Sequence, residues 1–333
     1  MPIIKVDDVA YPTLQVPDLD LQEKFLINFG LHRLERTEDK LYMHGEGSQQ
    51  YVHVSQKGDA KFLSVAFKAK TRDDLEKLSK AEGFSDIEKI DAPGGGECVW
   101  GIDPDGIKVE VVFGIKEKEA SSDLDSWKVN TGGKLHEGFE RVNVPKRFKK
   151  GAYPRIKRFA HLGLNVTDVG TSFDWYHNHI GIIISDDLRL PPDYKMRLGI
   201  FARLDRGKEL ADHHSIFFIP APMRSNGVTG LNHVSYEMID IDDVFMGHEI
   251  LKKEGYNSEW GIGRHYQGSQ IFDYWRSPFD QVHEHETDGD VFDNTVPPNI
   301  VEVDKDGNPT EPEMGPSQWG PALTPTFAND KGT

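Results

Sequence analysis

The chain has 333 residues, 37% of them apolar and 10% aromatic, enough for two domains with real cores and too apolar for a disordered segment. A formal net charge of −16 argues against a phosphate-backbone partner, so nucleic acid is not expected, and the one basic stretch, 141–158, reads as a solvated linker. A single cysteine, Cys98, excludes an intrachain disulfide and a cysteine-rich zinc site. With no run near the ~20 apolar residues of a membrane span and no leader-like start, a reducing, cytoplasmic setting without a membrane partner is the expectation.

In chain order, Ala10 to Val16 reads as a strand, and Leu21 to Phe29 as an amphipathic helix closed by Gly30. LYMHG and YVHVSQ are extended. FLSVAFKA (62–69) is a strand, and 71–84 is a helix with Thr71 as its N-cap. Residues 98–114 form a hairpin around the turn signal DPDG.

The second half repeats this order. RFAHLGLNVTDVG (158–170) matches the first strand and its polar break, with Asp168 where the first copy has Asp18. TSFDWYHNHIGI (171–182) is the matching helix, LNHVSYEM (231–238) the matching strand, and 240–256 the fourth helix. SPFDQVHEHE closes the half as DPDGIKVEVV closes the first. Strand–helix–strands thus occurs four times, which sets the architecture before any motif does.

The predicted fold class is α+β. Four βαβββ units pair into two modules, each a curved, mostly antiparallel sheet around a cavity with helices outside. The expected divisions are an N-terminal module at 1–115, a linker at 116–157, a C-terminal module at 158–290 and a Pro/Gly-rich tail at 291–333 with little regular structure. Trp319 suggests that the tail docks, and a tail suited to packing on a neighbour points to a homo-oligomer. Residues 186–206 read equally as a pocket lid and as a surface loop.

Superposing the halves isolates a chemical difference. His161 falls on Tyr11, His233 on Ser64, and Glu284 on Glu110, so the second half carries His, His and Glu on three separate strands at repeat-equivalent places, and the first half lacks both histidines. A structural histidine needs no companion at each equivalent strand, whereas a two-histidine, one-carboxylate set does, and it suits Fe(II) or alternatively Mn(II) with positions left open. Along QVHEHE side chains alternate, so His283 and His285 should point away from Glu284 and are not expected to be ligands. His177 and His179, at a helix end, read as structural, and only one of His213 and His214 can face inward. Arg264, His265 and Tyr274 lie in the same hairpin-like unit and could reach the same cavity. Gly163, two residues after the first ligand, leaves space near the metal, consistent with a bulky substrate.

Five motifs, HLGLNVTD (161–168), DHHSIFF (212–218), LNHVSYE (231–237), GRH (263–265) and DYWRSP…VHEHETDGD (273–290), make the second half resemble the type I extradiol ring-cleavage dioxygenases of the vicinal oxygen chelate superfamily. The first half resembles the metal-free N-terminal module of two-module members. The resemblance implies that His161, His233 and Glu284 hold the metal and that His214 is the acid/base histidine. It also implies that Tyr274 and His265 hydrogen-bond the substrate oxygens, with Arg264 a further contact. The implied partners are a catechol-type molecule and O2, in the breakdown of aromatic compounds. One departure from the family pattern is Asp280, which stands where the turn usually has glycine. Two other classes remain: a metal-dependent, non-oxidative isomerase or lyase of the glyoxalase type, and a protein that only binds a small aromatic ligand.

Overall fold

The computed structural model describes residues 1–122, 124, 128–130, 137–148, 150–192, 194–221, 227–304, 310 and 316–328. Parts of the linker (123, 125–127, 131–136 and 149) and of the tail (305–309, 311–315 and 329–333) lie outside the described residues.

The first half runs β1 (Asp8–Val16), α1 (Leu19–Phe29), β2 (His32–Arg36), β3 (Lys40–His44), β4 (His53–Lys57), then β5 (Lys61–Lys68), α2 (Arg72–Leu78), β6 (Glu88–Lys89), β7 (Glu97–Ile102) and β8 (Lys108–Phe113). Its strands form one sheet in the order β2-β3-β4-β1-β5-β8-β7-β6. The second half runs β9 (Ile156–Val166), α3 (Val169–Ile180), β10 (Ile182–Arg189), β11 (Arg197–Leu204), β12 (Ala211–Asp212), β13 (Ile216–Pro220), then β14 (Gly230–Met238), α4 (Ile241–Lys253), β15 (Asn257–His265), β16 (Ile271–Arg276) and β17 (Val282–Thr287). The tail adds β18 (Val291–Phe292), β19 (Asn299–Glu302), β20 (Ser317–Trp319) and the helical turn α5 (Pro325–Ala328). The second sheet is ordered β19-β10-β11-β13-β9-β14-β17-β16-β15-β20. In each half the two units meet at an antiparallel pair, β1 with β5 and β9 with β14.

The polar breaks after the leading strands are helix caps. Asp18 accepts from the Asp20 and Leu21 amides, Asp168 from Thr171, and Asp240 from Asp242 and Asp243. These satisfy amides that a helix start leaves unpaired. Gly30 (φ 114°) and Gly181 (φ 79°) end α1 and α3 in the left-handed region, where glycine alone is unstrained. Two expectations are corrected. The described residues of 186–206 lie mainly in the antiparallel pair β10–β11 rather than in a loop, with Asp186 opposite Phe201 and Arg189 opposite Arg197. The described part of the tail is more regular than expected: β19 pairs with β10 at one edge of the sheet and β20 with β15 at the other. Trp319 anchors through its backbone opposite Arg264, while its ring stays 46% exposed.

One apolar core runs through both halves. Helix α1 lies on the outer face of β17, where the Phe29 ring stacks on His285 at 3.8 Å and the Phe29 carbonyl stands 2.7 Å from His285 Nε2. Phe25 meets His283 edge-on at 5.0 Å. His53 sits between Tyr236 Oη (2.6 Å) and Ser55 Oγ (2.9 Å). His283 and His285 therefore face the helices and not the cavity, as the alternation requires. The Asp243 carboxylate pairs with the buried Arg155 guanidinium at 2.8 Å and ties α4 to the entry of β9.

Burial, the largest influence on each, pushes His53 well below the usual imidazole range, His283 to about 4 and His285 to about 3. These groups stay neutral when folded but take up protons near pH 6.5 when unfolded, so the unfolded state binds more protons below that pH. The share of stability that these three histidines carry should be level above about pH 6.5 and fall below it by up to ~1.4 kcal/mol per pH unit per histidine until the folded-state values near 4 and 3 are reached, against the opposite slope of Asp8 and Asp103, whose carboxyls burial raises to about 6. Urea unfolding from pH 7.5 down to 4.5 measures this, and His283→Leu should flatten part of the slope.

Candidate metal centre and its cavity

Strand register places the three residues. In β9–β14, His161 lies opposite Ser235 and His233 opposite Gly163, and in β14–β17, Ser235 lies opposite Glu284. The first half has the same register, with Tyr11 opposite Ala66, Ser64 opposite Thr13, and Ala66 opposite Glu110. The repeat equivalence read from the sequence is thus a geometric one. The two glutamates differ in what faces them. Glu110 is met by Lys108 at 2.7 Å and by the Tyr11 hydroxyl at 3.4 Å. Position 282, the counterpart of Lys108, is Val282, so Glu284 has no ammonium on its own strand.

Glu284 is fully buried. Around it stand His161 Nε2 at 3.0 Å, His233 Nε2 at 3.6 Å and His265 Nε2 at 3.4 Å. Neither carboxylate oxygen makes a well-aligned hydrogen bond. Burial pushes the Glu284 carboxyl up, but the surrounding imidazoles, His161 foremost, outweigh it and hold the group well below the usual carboxylate range. One ligand-type atom each from His161, His233 and Glu284 lie within 4.8 Å of one another, the one such cluster of three among the described residues. Burial, with the neighbouring His161 adding to it against the pull of Glu284, lowers His233 to about 3 and keeps it neutral. Its Nδ1 is 2.7 Å from Asn232 Oδ1, which leaves the Nε2 lone pair turned to Glu284. Two imidazole lone pairs and an unpaired buried carboxylate are what a divalent cation with open positions needs, so these residues fit such an ion.

The surrounding cavity is about 140 Å³. His161, His214, His233, His265 and Tyr274 form its polar side, and Leu188, Leu198, Phe201, Phe217 and Trp260 its apolar wall. His214 lies in the bend between β12 and β13, its ring 4.2 Å from that of His161. Of the adjacent pair it alone lines this cavity, while His213 turns to Asp186 at 3.0 Å. Burial, then His161 and His213, hold His214 well below the usual range, so it is neutral. Tyr274 Oη is 2.9 Å from His265 Nε2, and burial and the Glu284 charge push the phenol well above its ordinary value, so it remains a donor.

Two expected contacts are corrected. Arg264 does not face the cavity: its guanidinium is held by the Ser269 carbonyl (2.5 Å) and Asp288 (2.8 Å), because β15 turns neighbouring side chains to opposite faces and His265 takes the inner one. Gly163 does not make room for a substrate. A Cβ there would stand 2.7 Å from the His233 ring, so the space is filled by the imidazole itself. The departure at Asp280 is accommodated: its φ is 67°, and Arg276 Nη1 holds its carbonyl at 2.9 Å. Sequence reasoning missed Asn232 and the tail residues Pro316, Leu323 and Phe327, which close the cavity. The tail is fixed there by Trp260 Nε1 donating to the Pro321 carbonyl (2.9 Å) and by Thr324 and Thr326 hydroxyls on Glu259 (2.7 and 2.6 Å). Asn232, next to a histidine in LNHV, was the one signal available.

Residues 158–282 match the family model of the Glyoxalase/Bleomycin resistance protein/Dioxygenase superfamily. The chain is 26% identical to Metapyrocatechase 2 of Cupriavidus necator over 289 residues, 86% of this chain and 82% of that protein. In structure it is similar to homoprotocatechuate 2,3-dioxygenase of Brevibacterium fuscum in its anaerobic complex with 3,4-dihydroxyphenylacetate (TM-score 0.75, 18% identity, covering 98% of this chain and 92% of that one). It is also similar to the Mn(II)-bound glyoxalase of Novosphingobium aromaticivorans (TM-score 0.72, 22% identity, covering 98% and 99%). These likenesses establish the vicinal oxygen chelate fold, and no helix among the described residues is long and apolar enough to cross a membrane.

Gly163→Ala tests the centre directly. Its methyl must displace the His233 ring, so affinity for a divalent ion should fall about 10- to 100-fold, the cost of disturbing a ligand's support. Calorimetric titration with Mn(II) measures this, with circular dichroism showing the fold retained.

Proposed function

Starting from a chain whose residues 158–282 match the family model of the Glyoxalase/Bleomycin resistance protein/Dioxygenase superfamily, we propose that the protein is a metal-dependent extradiol dioxygenase that opens a catechol-type ring with O2 next to the two hydroxyls. The observation that carries this reading is the cluster His161–His233–Glu284 in a cavity that also presents His214, His265 and Tyr274. Within it, residues 1–115 form a metal-free module, 116–157 a linker, 158–290 the catalytic module, and 291–333 a tail that closes the cavity.

His161, His233 and Glu284 would hold Fe(II), or alternatively Mn(II). Such an ion, when bound, polarises two adjacent substrate oxygens and offers room for O2. The chain's own groups do the rest. A cavity of about 140 Å³ suits one six-membered ring, since an apolar cavity of ~150 Å³ takes benzene. Phe201, Phe217, Trp260 and Phe327 exclude water from the ring, which strengthens every polar contact at the other end. His214, neutral by burial, accepts a proton from a substrate hydroxyl and returns it as the ring opens. Tyr274, still protonated, donates to developing negative charge on oxygen, and His265 holds that hydroxyl in place.

The likeness to a Mn(II)-bound glyoxalase supports a second reading, a non-oxidative isomerase or lyase using the same three ligands. That chemistry leaves O2 unconsumed and gives His214 no partner beside the ring, which is why we place it second.

Protein reconstituted anaerobically with Fe(II) and mixed with a catechol panel in air should consume O2 and form a yellow ring-opened product. His214→Ala should lower kcat about 100- to 10,000-fold with KM little changed. Activity that persists without O2, or no O2 uptake with any catechol, removes the dioxygenase reading.

A further inference from the structure

Behind His214, outside the cavity, lies a buried polar chain that the reaction above leaves unused. Asp186 Oδ1 is 2.8 Å from the Asn299 amide nitrogen, and Asp186 Oδ2 is 3.0 Å from His213 Nε2. His213 Nδ1 is 3.1 Å from His214 Nδ1. Asp186, His213 and His214 are all buried. Asp186 stands on β10 in register with Asn299 on β19, so the tail supplies the outer end.

We propose that His213 and Asp186 are positioning residues that fix which ring nitrogen His214 presents to the cavity; the inference rests on the acid/base role given to His214 above. A carboxylate only accepts, and Asn299 donates to its other oxygen, so the proton between Asp186 and His213 belongs to His213 Nε2. A neutral His213 then carries its lone pair on Nδ1. The proton between the two Nδ1 atoms must in turn belong to His214. A neutral His214 protonated at Nδ1 has a bare Nε2, and its Nδ1 edge is the one turned away toward His213. The cavity therefore meets a base, not a donor. Gln270 Nε2 stands at the same nitrogen, 3.4 Å away, while its Oε1 is buried without a partner. With the amide turned over, that oxygen accepts the same His214 proton. An imidazole without this chain divides between two tautomers, of which only one can take a proton from a substrate hydroxyl.

Asp186→Asn is close to isosteric, but its amide can donate to His213 Nε2. Both rings then reverse, and His214 carries its proton on Nε2. Protein labelled with ¹⁵N-histidine and loaded with diamagnetic Zn(II) reports the tautomer through two-bond ¹H–¹⁵N correlations. The wild type should show His214 protonated at Nδ1, and Asp186→Asn should show it protonated at Nε2. With Fe(II) and a catechol, Asp186→Asn should lower kcat about 100-fold with KM and metal content nearly unchanged, a smaller loss than where the aspartate touches the catalytic histidine itself. His213→Gln, whose amide oxygen can accept from His214 Nδ1, should restore kcat in the Asp186→Asn background to within about fivefold of wild type, and His213→Leu should not. A wild-type His214 protonated at Nε2, or an Asp186→Asn variant unchanged in both tautomer and kcat, overturns the proposal. A wild type inactive on every catechol withdraws the dioxygenase reading alone, because the nitrogen signals still decide the tautomer.

Discussion

A fully buried carboxylate that no side chain neutralises is the constraint on which this molecule turns. Glu284 sits at the middle of the ten-stranded sheet, ringed by imidazoles rather than by an ammonium or guanidinium. An anion at such depth is costly without partners, and here the surrounding imidazoles, His161 foremost, are what keep it ionised. The first half shows the other solution to the same problem. At the matching place it supplies Lys108 and a tyrosine hydroxyl, and it gives up the pair of nitrogen donors. The two halves are one scaffold carrying opposite electrostatic choices.

That contrast explains what could be read in advance. Period, caps and turn residues locate the four units because each depends on neighbours in sequence: Asp18, Asp168 and Asp240 start helices, and Gly30 and Gly181 end two of them. The grouping of His161, His233 and Glu284 was legible because the repeat lets one half act as a ruler for the other. His283 and His285 could be set aside because a strand alternates, and the helix-facing contacts with Phe25 and Phe29 agree.

What could not be read depends on contacts between distant segments. Gly163 carries no label saying that it yields to His233, since that clash needs the β9–β14 register. Arg264 and His265 are adjacent and equally polar, and only the pleat of β15 decides which looks inward. The residues after 291 carry proline, glycine and charge in a proportion that reads as irregular, yet Glu259, Trp260 and Arg203 on distant strands hold them down. Composition describes a segment's own tendencies and says nothing of the partners waiting for it.

The placement of the two tail strands has a consequence for solubility. A sheet that is not closed ends in rows of unpaired amides and carbonyls, which invite another chain to add itself. Here β10 and β15 would be those rows, and each is covered over part of its length by a short strand, β19 along Asp186–Arg189 and β20 at Arg264 and His265. The same segment that walls the cavity thus blunts both outer margins of the sheet, so damage to it should favour self-association between molecules as much as it opens the pocket.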